Sequence, residues 1–138
     1  IWSDALPVAG SPFSRGIEVQ VLDPGFNVKG KNEWYSTHGD IFAVNGARLT
    51  VAGRISPNGQ RSFPAEERTR PSPEWNHYRV AAINGDISLS VNGKEVTIAR
   101  AAEPRKGYLM LESEGSECHF RNIVIREMAS QTSKEEQK

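Results

Sequence analysis

Residues 77–99, HYRVAAINGDISLSVNGKEVTIA, decide the fold. The pairs Asn84-Gly85 and Asn92-Gly93 divide this stretch into runs of β-forming residues. Asn and Gly both tolerate positive φ, which a tight type I′ hairpin turn demands at its central positions. In the middle run Ile87, Leu89 and Val91 alternate with Asp86, Ser88 and Ser90, so one face is apolar and the other polar. These residues predict an antiparallel meander with one buried side.

The same alternation recurs on both sides of the meander. Residues 16–22 (GIEVQVL) set Ile17, Val19 and Val21 against Glu18 and Gln20, and residues 47–53 carry Leu49 and Val51. Residues 107–113 set Leu109 and Leu111 against Tyr108, Met110 and Glu112, and residues 118–126 end in the β-branched run Ile123-Val124-Ile125. Each predicts a strand. The Pro-, Gly- and Ser-rich stretches 23–40 and 54–73 predict long loops. Residues 129–138 are polar and charged with no apolar stripe to bury, which predicts a tail. Many short strands, no repeat and no helical period describe one all-β domain over residues 1–128, a sandwich or barrel. Ile1-Trp2 reads as the end of a strand that begins upstream, so a trimmed chain is expected.

Composition narrows the function classes. Lys plus Arg and Asp plus Glu each number 17 in 138 residues, so the net charge is zero. Nucleic acid and anionic membranes reward a basic excess that this chain lacks, and no nucleic-acid partner is expected. No apolar run approaches the ~20 residues of a membrane helix, and the first residues show no signal peptide. Cys118 stands alone, which excludes an intrachain disulfide and a cysteine metal site, and is expected as a small buried hydrophobe. The chain has no Gly-rich phosphate loop, no Gly-x-Ser-x-Gly elbow and no His-Glu-x-x-His pair.

Three places hold groups with chemistry. Period-two geometry puts Glu18 and Gln20 on one face of their strand, where a carboxylate and an amide suit sugar hydroxyls, a metal or proton transfer. The plain alternative is a solvated outer face. Glu112 shares a face with Tyr108 and Met110, and a mixed acidic and aromatic face suits a sugar, whose CH-rich side stacks on rings. Two carboxylates on one sheet suit acid/base work, with their separation deciding the chemistry. The stretch 34–40 (WYSTHGD) gathers Trp34, His38 and Asp40; a His near an acid serves as a base or metal ligand, or belongs to an Asp-buttressed turn. Trp75 reads as a core anchor rather than a sugar platform.

Six stretches in order carry a resemblance: GIEVQVLD (16–23), STHGDIF (36–42), EWNHY (74–78), VNGK (91–94), GYLMLESEG (107–115) and FRNIVIR (120–126). Over residues 1–128 the chain resembles the 3-keto-disaccharide hydrolase family of concanavalin-like lectin/glucanase domains, common in bacteria that degrade glycans. The resemblance implies a jelly-roll sandwich of two curved antiparallel sheets with a carbohydrate ligand on the concave face. It implies further strands before residue 1 and a periplasmic or secreted location. The implied chemistry is cleavage of glycosides oxidised at C3, by proton removal from C2, elimination of the aglycone and hydration. That route needs a base and an enolate stabiliser, such as a divalent metal or hydrogen-bond donors. Carried over by position, Glu18 and Gln20 match the family's acidic strand and His38 with Asp40 its His-Gly loop; with the residue reading above, Glu18, His38 and Glu112 are the expected catalytic residues, and Gln20, Asp40, Trp34 and Tyr108 the expected substrate contacts. At Glu112 many family members carry a Gln-Asp-His-Gly type run, whereas this chain reads Leu111-Glu112-Ser113-Glu114-Gly115. A non-catalytic carbohydrate-binding module is the competing expectation, because one fold serves both uses. A structural interaction domain with neither activity is the third.

Overall fold

The computed structural model of the chain describes residues 1–4, 6, 9–10, 13–28 and 36–129. In chain order the elements are β1 (Gly16–Val19), a short 3-10 helix (Pro24–Val28), β2 (Ile41–Val44), β3 (Arg48–Val51) and β4 (Arg54–Ile55). Then follow β5 (Arg61–Phe63), β6 (Tyr78–Ile83), β7 (Asp86–Val91) and β8 (Lys94–Glu103). They form two 4-stranded antiparallel sheets with orders β1-β2-β5-β4 and β3-β8-β7-β6, a β-sandwich of the expected all-β class. Among the described residues no helix is long and apolar enough to cross a membrane.

The meander forms as its sequence dictates. At both turns the Asn and Gly adopt positive φ, 52° and 92° at Asn84-Gly85 and 49° and 89° at Asn92-Gly93. The pairings Val80↔Leu89 and Leu89↔Thr97 put alternate residues on one face. Asn45-Gly46 repeats the geometry between β2 and β3, where the chain crosses from one sheet to the other. Ile17 and Ile41 from the first sheet meet Ile87, Leu89, Val91, Val96, Ala99 and Ala102 from the second, all buried. At about 25 cal/mol per Å² of apolar surface, this burial is the main favourable term. Two of the polar groups beside it are paired: the Thr97 hydroxyl donates to the Gly39 carbonyl at 2.7 Å, and the Ala52 N–H donates to Ser62 Oγ at 3.1 Å.

Three expectations are corrected. Residues 54–63, expected inside a long loop, form the β4–β5 hairpin. Its turn is closed by Ser56 Oγ donating to Asn58 Oδ1 at 2.7 Å and by the Arg61 N–H donating to Ser56 Oγ at 3.0 Å. Strands of 2 and 3 residues are too short to show alternation. Residues 107–113 and 118–126 have strand-forming sequences but form no strand, and among them only Tyr108 makes a bridge, with Ser3. β-propensity expresses itself against a neighbouring strand, and Leu111 and Ile125 instead stand 50% and 72% exposed. Trp75 is 43% exposed, with the Arg121 guanidinium 3.9 Å from its ring centre.

Candidate functional site

The site lies on the face of the first sheet that turns away from the core. β1 buries Ile17, so Glu18 points the other way. Glu18 pairs with Phe42 on β2, and Phe42 pairs with Arg61 on β5. Three neighbouring strands thus place an acid, an aromatic ring and a cation in one row. The Arg61 guanidinium lies 3.6 Å from the Phe42 ring centre, a close cation–π contact. Two residues before Phe42, just ahead of β2, Asp40 is fully buried, with one oxygen 3.5 Å from Arg61 Nη1. The Thr37 N–H donates to Asp40 at 2.8 Å, and the Thr37 hydroxyl donates to its other oxygen.

The chain after β8 completes the cluster. Tyr108 exchanges backbone hydrogen bonds with Ser3 at 3.1 and 2.8 Å, and the Asp4 and Ile17 N–H groups bond to Arg15 and Ile1, beside β1. Gly107 allows this approach: at its φ of +149° an added Cβ would stand 2.2 Å from the Ser3 carbonyl oxygen. Beyond Tyr108 the chain brings Glu112 and Glu114 to Glu18, with carboxylate oxygens of all three within 4.8 Å of one another. Burial, then repulsion from Glu112 and Glu114, pushes the Glu18 carboxyl up to about 7, with Arg61 opposing. Glu112 is pushed up as well, by burial and by Glu114.

Oxygens at this spacing fit a hard divalent cation, whose ligands stand about 2.0–2.6 Å from the ion. A proton or a cation would relieve the same repulsion. The chemistry open to the cluster is therefore proton transfer near neutral pH, cation binding, or both in turn.

The structure brings Glu18 and Glu112 together and leaves His38 apart from their cluster. The His38 ring is buried, packed edge-on against Tyr78 with centroids 5.1 Å apart. Nδ1 lies 2.5 Å from the Leu22 carbonyl and 3.2 Å from the Leu22 N–H. One nitrogen cannot serve both, and the shorter contact makes Nδ1 the donor. Nε2 then carries the lone pair, buried and without a partner among the described residues. Burial lowers the His38 pKa against that bond, which favours the neutral ring. Asp40 does not reach the imidazole; its oxygens serve Thr37 and Arg61. Burial pushes its carboxyl up, against both partners.

Gln20 follows Glu18 on the same strand parity, partly buried, and its backbone carbonyl accepts from the Tyr78 hydroxyl at 2.8 Å. The Tyr108 side is 53% exposed beside Ser3. Trp34 lies outside the described residues. Sequence reasoning missed Arg61, Phe42 and Glu114. Asn58-Gly59 between Arg54-Ile55 and Arg61-Phe63 was the signal for the Arg61 strand. Nothing local marks Glu114, whose role comes from a contact across 96 positions, from residue 18 to residue 114.

The family model described as the 3-keto-alpha-glucoside-1,2-lyase-like domain matches residues 2–126. No curated protein and no solved structure matches the chain. The match supports a carbohydrate-related, glycoside-processing role.

Proposed function

The chain belongs to the 3-keto-alpha-glucoside-1,2-lyase-like domain family, and from that premise we propose that it cleaves 3-keto glycosides by elimination, with Glu18 as the base. The supporting observation is the Glu18 carboxyl gathered with Glu112 and Glu114 on the polar face that also carries Arg61. A ketone at C3 acidifies the proton on C2. The Glu18 carboxylate takes that proton, and the C2–H electron pair moves into the C3 carbonyl as an enolate. Return of the pair forms the C1–C2 double bond and expels the C1 oxygen with the aglycone. Water then adds across the double bond to give the free 3-keto sugar.

A base works best when its pKa lies near the operating pH, and about 7 suits this task. Glu112, raised in pKa and beside Glu18, is assigned to return a proton to the leaving oxygen. Gln20 and the exposed Tyr108 ring are assigned to the sugar. His38 and Asp40 are assigned to hold the frame, because their polar atoms bond to Leu22, Thr37 and Arg61. In their ionised state Glu18, Glu112 and Glu114 would instead hold a divalent cation, which when bound supplies Lewis-acid polarisation of the ketone in place of the proton transfer assigned to Glu112.

Incubation with a 3-keto glucoside, with and without a chelator, tests the proposal by mass analysis. Release of the aglycone is expected, and suppression by chelator would assign the cation a part. Glycan binding with the glycoside left intact contradicts the proposal and supports a carbohydrate-binding module.

A further inference from the structure

We propose that Arg61 is the enolate-stabilising partner of Glu18, an inference that rests on the elimination reading above. The geometry supplies three reasons. Arg61 is the cation of the row Glu18–Phe42–Arg61, and its guanidinium folds back over the Phe42 ring at 3.6 Å, towards the strand that carries Glu18. It is ion-paired with the buried Asp40, but at long range. Asp40 stands 3.5 Å away with its oxygens already accepting from Thr37, and Nη1 has no hydrogen bond among the described residues. Finally, the side chain is only 12% exposed, so little water screens the charge. A preorganised donor in such a site is worth far more than in water, because it needs no reorientation when charge develops.

The division of labour balances. The C2 proton passes to the Glu18 carboxylate. The C2–H pair passes to the C3 oxygen, which accepts a hydrogen bond from the guanidinium. Arg61 transfers no proton and stays a cation throughout. Phe42 and Asp40 act only through Arg61, fixing the plane and position of its fork.

The test separates enolisation from aglycone loss. A 3-keto 1,5-anhydro sugar carries no aglycone at C1, so exchange of its C2 proton in D2O, followed by NMR, reads enolate formation without aglycone loss. Aglycone release from a 3-keto glucoside reads the complete reaction. Arg61→Gln is expected to lower both rates about 10²- to 10³-fold while KM changes far less, the signature of an interaction made in the transition state. Arg61→Lys keeps the charge and the stem over Phe42, and is expected to fold and to lose about tenfold, because a point charge replaces a planar fork. If Arg61→Gln does not fold, the lysine variant decides. Wild-type rates in either folded variant overturn the Arg61 assignment and leave the elimination reading standing. A folded wild-type protein that neither exchanges nor eliminates overturns both.

Discussion

At Glu18 two opposing effects meet. Burial and the charges on Glu112 and Glu114 disfavour its carboxylate, while Arg61 favours it, and the first pair wins, to a pKa of about 7. A carboxyl whose folded pKa stands above its unfolded value binds its proton more tightly when folded. The resulting stability is full below the ordinary value of 4.5 and is lost as pH rises through about 7. The loss is at most about 3 kcal/mol. Denaturant melts of the wild type between pH 4.5 and 8 are expected to show this decline, and Glu18→Gln to flatten it and to be the more stable protein at pH 8. The same decline in both proteins would place the titration elsewhere. At this scale the sequence was informative about direction and silent about distance. Alternation put Glu18 on the polar face, but the approach of Glu112 and Glu114 depends on a chain segment that leaves β8 and passes Ser3.

Elements with strong local signals were legible, and those made by tertiary contact were not. Asn92 shows the first kind. It holds φ at 49° in the β7–β8 turn, and its side chain accepts from the His77 N–H at 2.9 Å. It also donates to the Arg68 carbonyl at 2.7 Å and to Asn76 at 2.9 Å. One residue thus makes the hairpin and ties residues 68–77 to it. Asn92→Ala is expected to cost about 2–3 kcal/mol, from a left-handed conformation that alanine resists and from hydrogen bonds left unmade, measured as a shift in the denaturant midpoint. A cost under about 0.5 kcal/mol would mean that the turn does not hold that segment. The β4–β5 hairpin shows the second kind, since side-chain bonds within its turn and one neighbour, β2, sustain strands too short to announce themselves. Residues 118–126 fail in the opposite sense: a strand-forming sequence makes no ladder without a neighbour beside it.

Among the described residues, the apolar core shared by the two sheets contrasts with an exposed apolar run after β8. Leu89 is fully buried, whereas Ile125 is 72% and Val124 85% exposed. Leu89→Ala is therefore expected to cost about 2–5 kcal/mol, and Ile125→Ser less than about 0.5 kcal/mol, in parallel denaturant melts. Comparable costs would mean that residues 118–126 pack into the core after all. The sandwich class followed from turns and alternation, which act locally. The pairing of β1 with β2 and of β2 with β5, which assembles the row beneath the site, joins distant residues and needed the structure.

The most direct test of Glu18 as the base is turnover of a 3-keto glucoside by the folded Glu18→Gln protein beside the wild type. Glutamine keeps the shape of the side chain and removes its capacity to take a proton. The prediction is aglycone release by the wild type and a loss of at least about 10²-fold in the variant, the usual scale of a missing general base. Release at the wild-type rate from the folded variant would contradict the assignment of Glu18.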